Sequence, residues 1–338
     1  MKKSSILLVI TALLFFSCGS KQEKRKADLS GINFDVKIER FDKDLWAVIN
    51  SENQRDDLLE ALFEKYPEFA PLYFTYIINF GENFDEVLEK IPDFFSDSAV
   101  IKLYADALKK FDDVRDLEKS ITNAFRRAKY FFPNAQIPKL LMHVSGLNTN
   151  AVLDENLISI SIDNYLGEKY PLYEQVPGIY GYLAQNMKRE KVASDYVIVW
   201  LSGEFPYFSE QDRLLDEMIF KGKILYLASL LMNDEKIENL IGYTPEQWKW
   251  CKEYEKDMWQ TLIEKKMLFS NDFNLRRKLL EDAPFTQPFT QESPGRAGIF
   301  VGYRIVESYM NKNENISPLE LMQNANAQNI LEKSGYRP

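Results

Sequence analysis

Hydrophobic and polar positions divide the chain into four stretches. Ile6 to Phe16 is an apolar run broken only by Thr11 and Ala12, preceded by Lys2-Lys3 and closed by Ser17-Cys18-Gly19. It is too short for a stable transmembrane helix and reads as an export signal, residues 1–17. Polar residues without periodicity follow to about residue 31 and predict a flexible tether, 18–31, reaching about 40–45 Å at full extension. Phe34, Val36 and Ile38 then alternate with Asp35, Lys37 and Glu39, the period-two pattern of a half-buried strand. From Asp42 to about Arg127 the period becomes helical. Leu58, Leu59, Leu62 and Phe63 share one face, and Pro67, Pro71 and Pro92 mark breaks.

A second strand region spans Lys139 to Ser145, Ala151 to Leu153 and Leu157 to Asp163. In the last, Ile158, Ile160 and Ile162 alternate with Ser159 and Ser161, and the short connections predict an antiparallel meander. The strand near residue 36 is expected to join this sheet, with pairing the sequence leaves open. From about Glu174 onward the pattern is mainly helical. Thr244-Pro245-Glu246-Gln247 and Ser317-Pro318-Leu319-Glu320 each read as a capping box with proline at the first helical position. A long helix is expected from Gln211 to Met232, entered through Ser209. With no repeat or internal linker, 32–338 reads as one α+β domain, mainly helical with a small antiparallel or mixed sheet. No segment after the N-terminal run is apolar enough to cross a membrane.

Charge and composition narrow the function. The net charge of −9 is spread through the body, and the one basic cluster, Lys21, Lys24, Arg25 and Lys26, lies in the tether. Nucleic-acid binding needs clustered Lys and Arg, so that class is set aside, and the basic tether suits acidic lipid headgroups instead. His143 is the sole histidine, and Cys251 is the sole cysteine besides Cys18. A zinc site needs two or three imidazoles or thiolates, so neither a metal nor another cofactor is expected. His143 reads as a structural histidine and Cys251 as core filler. Core packing accounts for most of the 18 Tyr, 23 Phe and 5 Trp, though exposed Tyr or Trp would suit sugars or a partner.

Ser17-Cys18-Gly19 resembles the lipobox of bacterial lipoproteins, with Phe15 where Leu is commonest. The resemblance implies that the Cys18 thiol is acylated and becomes the mature N-terminus, anchoring the body to a membrane by lipid. Gly19 is not the Asp that retains some lipoproteins in the inner membrane, so an outer-membrane anchor facing the periplasm is expected.

Four further segments carry a family resemblance. They are Asp163-Asn164-Tyr165-Leu166-Gly167, Leu214 to Tyr226, Ile241-Gly242-Tyr243-Thr244 and Pro294 to Met310. With the ending Ser334-Gly335-Tyr336-Arg337-Pro338, they resemble the gliding-motility lipoprotein B family across nearly the whole mature chain. That family implies an envelope lipoprotein required for gliding alongside the type IX secretion apparatus, with no established catalytic activity. Its partners would be envelope proteins of that machinery.

The layout more distantly resembles predicted zinc peptidases of the zincin type, whose helix carries His-Glu-x-x-His. Here the matching stretch reads Asp216-Glu217-x-x-Phe220. A phenyl ring cannot ligate a metal, and Asp216 and Glu217 project about 100° apart on a helix. The expectation is a retired peptidase cleft, with an active or residual metallopeptidase as one alternative and an envelope glycan-binding module, using Trp248 and Trp259, as another. Glu217 is expected to pair with Lys221, and Asp216 with a buried Arg or a helix-end amide. Gly222, and Gly295, Gly298 and Gly302 spaced three and four apart, predict close packing on a neighbouring element. Arg296 and Arg304 flank that stripe and are expected to reach Asp216 or Glu217 across the former cleft.

Overall fold

A computed structural model describes residues 27–81 and 83–338. The expected signal, Cys18 and the first part of the tether lie outside the described residues. Among the described residues, no helix is long and apolar enough to cross a membrane.

The body is mainly helical around one small mixed sheet, an α+β arrangement. β1 (Ile38–Glu39) leads into α1 (Phe41–Asn50), α2 (Arg55–Lys65), α3 (Phe69–Leu72), α4 (Phe84–Phe94), α5 (Ser98–Lys110) and α6 (Arg115–Phe131). β2 (Lys139–His143), β3 (Ala151–Asp154) and β4 (Leu157–Ser161) complete the sheet. Next come α7 (Gly181–Ala184), α8 (Val192–Glu204), α9 (Leu214–Leu231), α10 (Ile237–Ile241), α11 (Pro245–Glu253) and α12 (Glu255–Glu264). The chain closes with α13 (Phe273–Leu280), α14 (Ala297–Lys312), α15 (Pro318–Gln323) and α16 (Ala327–Ser334).

The sheet is not a meander. Its order is β1-β2-β4-β3, with β1 and β4 parallel to β2 and β3 antiparallel to β4. Burial explains the correction. Every residue of β4 is buried, whereas Leu153 and Asp154 of β3 are exposed, so β4 takes the interior and β3 the edge. The serines of β4 tolerate this because their hydroxyls are partnered. Ser159 Oγ lies 2.7 Å from His143 Nδ1, and Ser161 Oγ donates to Asp163 and accepts from the Ser145 amide. Burial raises the Asp163 carboxyl above its usual range even though it accepts the Ser145 and Leu147 amides.

The strand expected from Phe34 is shorter than its alternation suggested, because α6 takes its backbone groups. The Val36 amide donates to Thr122 Oγ1 (2.9 Å), the Ile38 amide donates to Glu118 Oε1 (3.1 Å), and the Phe34 carbonyl accepts from Arg126 Nε (2.9 Å). Pro92 does not end its helix. It sits in the last turn of α4, two residues before the helix stops, and Pro71 lies in the first turn of α3, where a missing amide costs little. Both capping boxes form, at Thr244 and at Ser317.

Helix α9 starts at Leu214, later than expected, with Arg213 as its cap; Ser209 accepts the Gln211 and Asp212 amides in the preceding turn. Almost all of α9 is buried, and its most extensive contact is with α14. There Gly222 faces Gly302, and the Gly302 Cα abuts the Met218 carbonyl. Gly298 instead meets the Leu279 carbonyl of α13, and Gly295, ahead of α14, meets the Ala283 backbone. The stripe thus serves three neighbours. Cys251 is fully buried, and burial pushes its thiol up to about 12.

Gly302→Ala is expected to lower stability by about 1–3 kcal/mol, because a methyl there collides with backbone that cannot yield. Gly181→Ala, with open space around it, should move the urea midpoint little. His143 generates a pH prediction. Burial holds its imidazole down to about 3, against an ordinary value of 6.5, so the unfolded chain binds the extra proton between those limits. Stability from this group is complete above about pH 6.5 and lost as pH falls towards 3, at up to about 1.4 kcal/mol per pH unit. Urea titrations of His143→Gln across this window should lack that component; matching slopes would refute the assignment.

Candidate functional site

The residues expected to form one cleft occupy three places. Asp216 sits in the first turn of α9, where its carboxylate accepts the Arg213 amide (3.0 Å), the Arg213 guanidinium (3.0 and 3.2 Å) and Ser209 Oγ (2.9 Å). Burial would raise this carboxyl, but those donors outweigh it and hold it below its ordinary value. The expected helix-end amide is present, and the pairing arginine, Arg213, is half-buried, so Asp216 acts as a cap. Glu217 lies 3.5 Å from Lys221, as its spacing predicts, and 4.0 Å from Arg276 Nε. Phe220 packs on Tyr207, with ring centroids 5.2 Å apart.

Neither arginine reaches them. Arg304 pairs with Glu255 at 3.0 Å and with Glu307, while Arg296 pairs with Asp282 at 3.0 Å and donates to the Ile241 carbonyl at 2.8 Å. Their pairing with Asp216 or Glu217 is therefore corrected: carboxylates on α12, on α14 itself and after α13 are nearer.

Arg296 instead lines a cavity of about 350 Å³. Three of the family-like segments meet there: Asn164 and Tyr165 after β4, Ile241 and Gly242 at the end of α10, and Arg296 at the head of α14. Arg296 adopts a left-handed backbone (φ 59°), and so does Gly242 (φ 80°). A side chain at Gly242 would strike Asn186 and the Arg296 guanidinium, so glycine lets both close on the Ile241–Gly242 backbone. Helix α8 and the residue before it supply the fourth wall. Lys191 is almost fully buried; its ammonium donates to the Asn239 carbonyl (3.0 Å) and lies 3.3 Å from Asp195. Asp195 also accepts from Tyr165 Oη at 2.8 Å. Apolar Leu147, Leu183, Ile198 and Leu240 fill the gaps between these groups.

Lys191 and Asp195 were missed from sequence. The signal was present: a lysine and an aspartate at i, i+4 beside the otherwise apolar run from Val192 to Leu201. In this cavity each cation is matched by a carboxylate, so the site is near neutral and suits a ligand with both apolar and hydrogen-bonding surface. His143 lies elsewhere, within the sheet against Phe69 and Tyr73. Among the described residues no group of three His, Cys, Asp or Glu side chains is placed to hold a metal ion. Trp248 packs edge-on to Phe300, and Trp259 edge-on to Tyr336, so both are engaged in core contacts.

No curated protein and no solved structure matches the chain, and the zincin resemblance finds no support. One family model, described as gliding motility protein GldB, matches residues 22–338. That span takes in the sheet, the cavity and the α9–α14 pair, and on it the chain belongs to the gliding motility protein GldB family.

Proposed function

We propose that this protein is a non-catalytic lipoprotein of the cell envelope that serves gliding motility by holding another component of the gliding or type IX secretion machinery. The acyl anchor is Cys18, and Gly19 after it favours the outer membrane with the body facing the periplasm. One observation carries the non-catalytic reading: the charged groups of the cavity are spent on one another. Lys191 is matched by Asp195, and Arg296 by Asp282. A general acid or base needs a proton-carrying group free to meet substrate, and a catalytic metal needs an open coordination position. The helix once matched to His-Glu-x-x-His supports the same reading, since Asp216 is occupied in capping and Phe220 in packing. The engaged Trp248 and Trp259 weigh against a glycan platform built on them.

Two measurements test this. Cys18→Ser should leave a folded body in the soluble fraction and abolish gliding; a variant that stays in membranes and still supports gliding would remove the anchor from the account. Metal analysis of the purified full chain should find no stoichiometric zinc. Zinc at one ion per chain, lost with peptide hydrolysis on Asp216→Ala, would replace the binding reading with an enzyme.

A further inference from the structure

We infer that the outer edge of β3, with the cavity at its N-terminal end, forms a groove for an extended polypeptide segment of a partner protein. The segment pairs with β3 as a fifth strand and places one side chain in the cavity. This inference rests on the binding reading above and names the kind of partner.

The register of the sheet supplies the first argument. The Asn150 carbonyl accepts from the Ser161 amide at 2.9 Å, which fixes the hydrogen-bonding phase of the β3–β4 pair. With Val152 opposite Ser159 and Asp154 opposite Leu157 in the same phase, Ala151 and Leu153 turn their N–H and C=O groups away from β4. Among the described residues, the one partner on that side is Thr149 Oγ1, 3.5 Å from the Ala151 carbonyl. The opposite edge of the sheet is closed, because Glu118 of α6 takes the Ile38 amide. β3 carries no proline or lysine to discourage pairing, and Leu153 is 48 % exposed.

The flank of α8 supplies the second. Gly203 lies against the Leu153 methyl groups, where a side chain would collide with them. One turn earlier on the same row is Val199, and beside it Ile198, both partly exposed apolar residues. Ile198 lines the cavity, and so does Asn150, the residue just before β3. An apolar strip therefore runs from Leu153 to the cavity alongside the open edge. Alternating donors and acceptors at strand spacing are matched by another main chain and not by a sugar or lipid, which makes the occupant a polypeptide. Apolar walls with the Asp195 and Asp282 carboxylates suit a side chain with an apolar body and a polar tip.

The test uses the full chain in detergent, panned against random twelve-residue peptides displayed on phage; a selected peptide is then synthesised and titrated by fluorescence anisotropy. The expected peptide slows hydrogen exchange at the Ala151 and Leu153 amides. Leu153→Pro should weaken its binding at least tenfold while the chain keeps a cooperative urea transition, since the lost amide points outward. Ile198→Trp, which fills the cavity, should weaken it as well, while Leu153→Thr keeps the edge and most of the affinity. Three outcomes overturn the groove: selected peptides that leave those amides unprotected, a dimer of this chain abolished by Leu153→Pro, or soluble peptidoglycan fragments that compete at the cavity and ignore Leu153→Pro. Zinc-dependent cleavage of a bound peptide would instead sink the non-catalytic reading and leave the groove standing.

Discussion

The close approach of α9 and α14 is the constraint on which the rest of the molecule depends. Two backbones meet at Gly222 and Gly302 with no side chain between them. Dispersion contacts are strongest where atoms are densest, and such a crossing tolerates no added carbon. Helix α9 is buried on nearly all sides, so α8, α13, α14 and α16 are all positioned by reference to it. The cavity inherits that precision: Arg296 leads directly into α14, while α8, which also packs on α9, bears Asp195 and Ile198 of the cavity wall.

Around the sheet and the cavity, buried polar groups are matched in pairs. Lys191, Asp195, Asp163, Ser159 and Ser161 are removed from water wholly or in part, and each has a hydrogen-bond partner. An unpaired buried charge would cost several kcal/mol, whereas a matched pair gives back most of that and adds direction. The cavity is therefore set more by geometry than by net charge. Arg296 holds a left-handed backbone that its packed surroundings keep in place, whereas Gly242 adopts the same region without strain.

Sequence displayed the local features well. Capping boxes at Thr244 and Ser317 depend on four consecutive residues, and the Glu217–Lys221 pair on one helical turn, so both were legible. The strands were visible as segments but not in their order. The alternation sets Ser159 and Ser161 on the face opposite the isoleucines, and only partners 16 and 2 residues away, His143 and Asp163, explain the burial of that face. The two arginines were misassigned for the same reason: Arg304 finds Glu255, 49 residues earlier, where no short-range rule applies. Asp195 was overlooked because its helix is apolar on most sides and gives no amphipathic signal. The family-like segments lie far apart along the chain, and only the fold brings three of them to one cavity.

The clasp between residues 34–38 and α6 has a mechanical consequence. The N-terminal segment enters the body along the closed edge, where Thr122, Glu118 and Arg126 grip it and Arg126 also holds Asp35 at 2.9 Å. Three strand spacings, about 14 Å, separate that edge from β3. Tension arriving from the N-terminal side would be taken up first by this clasp and by α6, on the side of the sheet away from the open edge of β3.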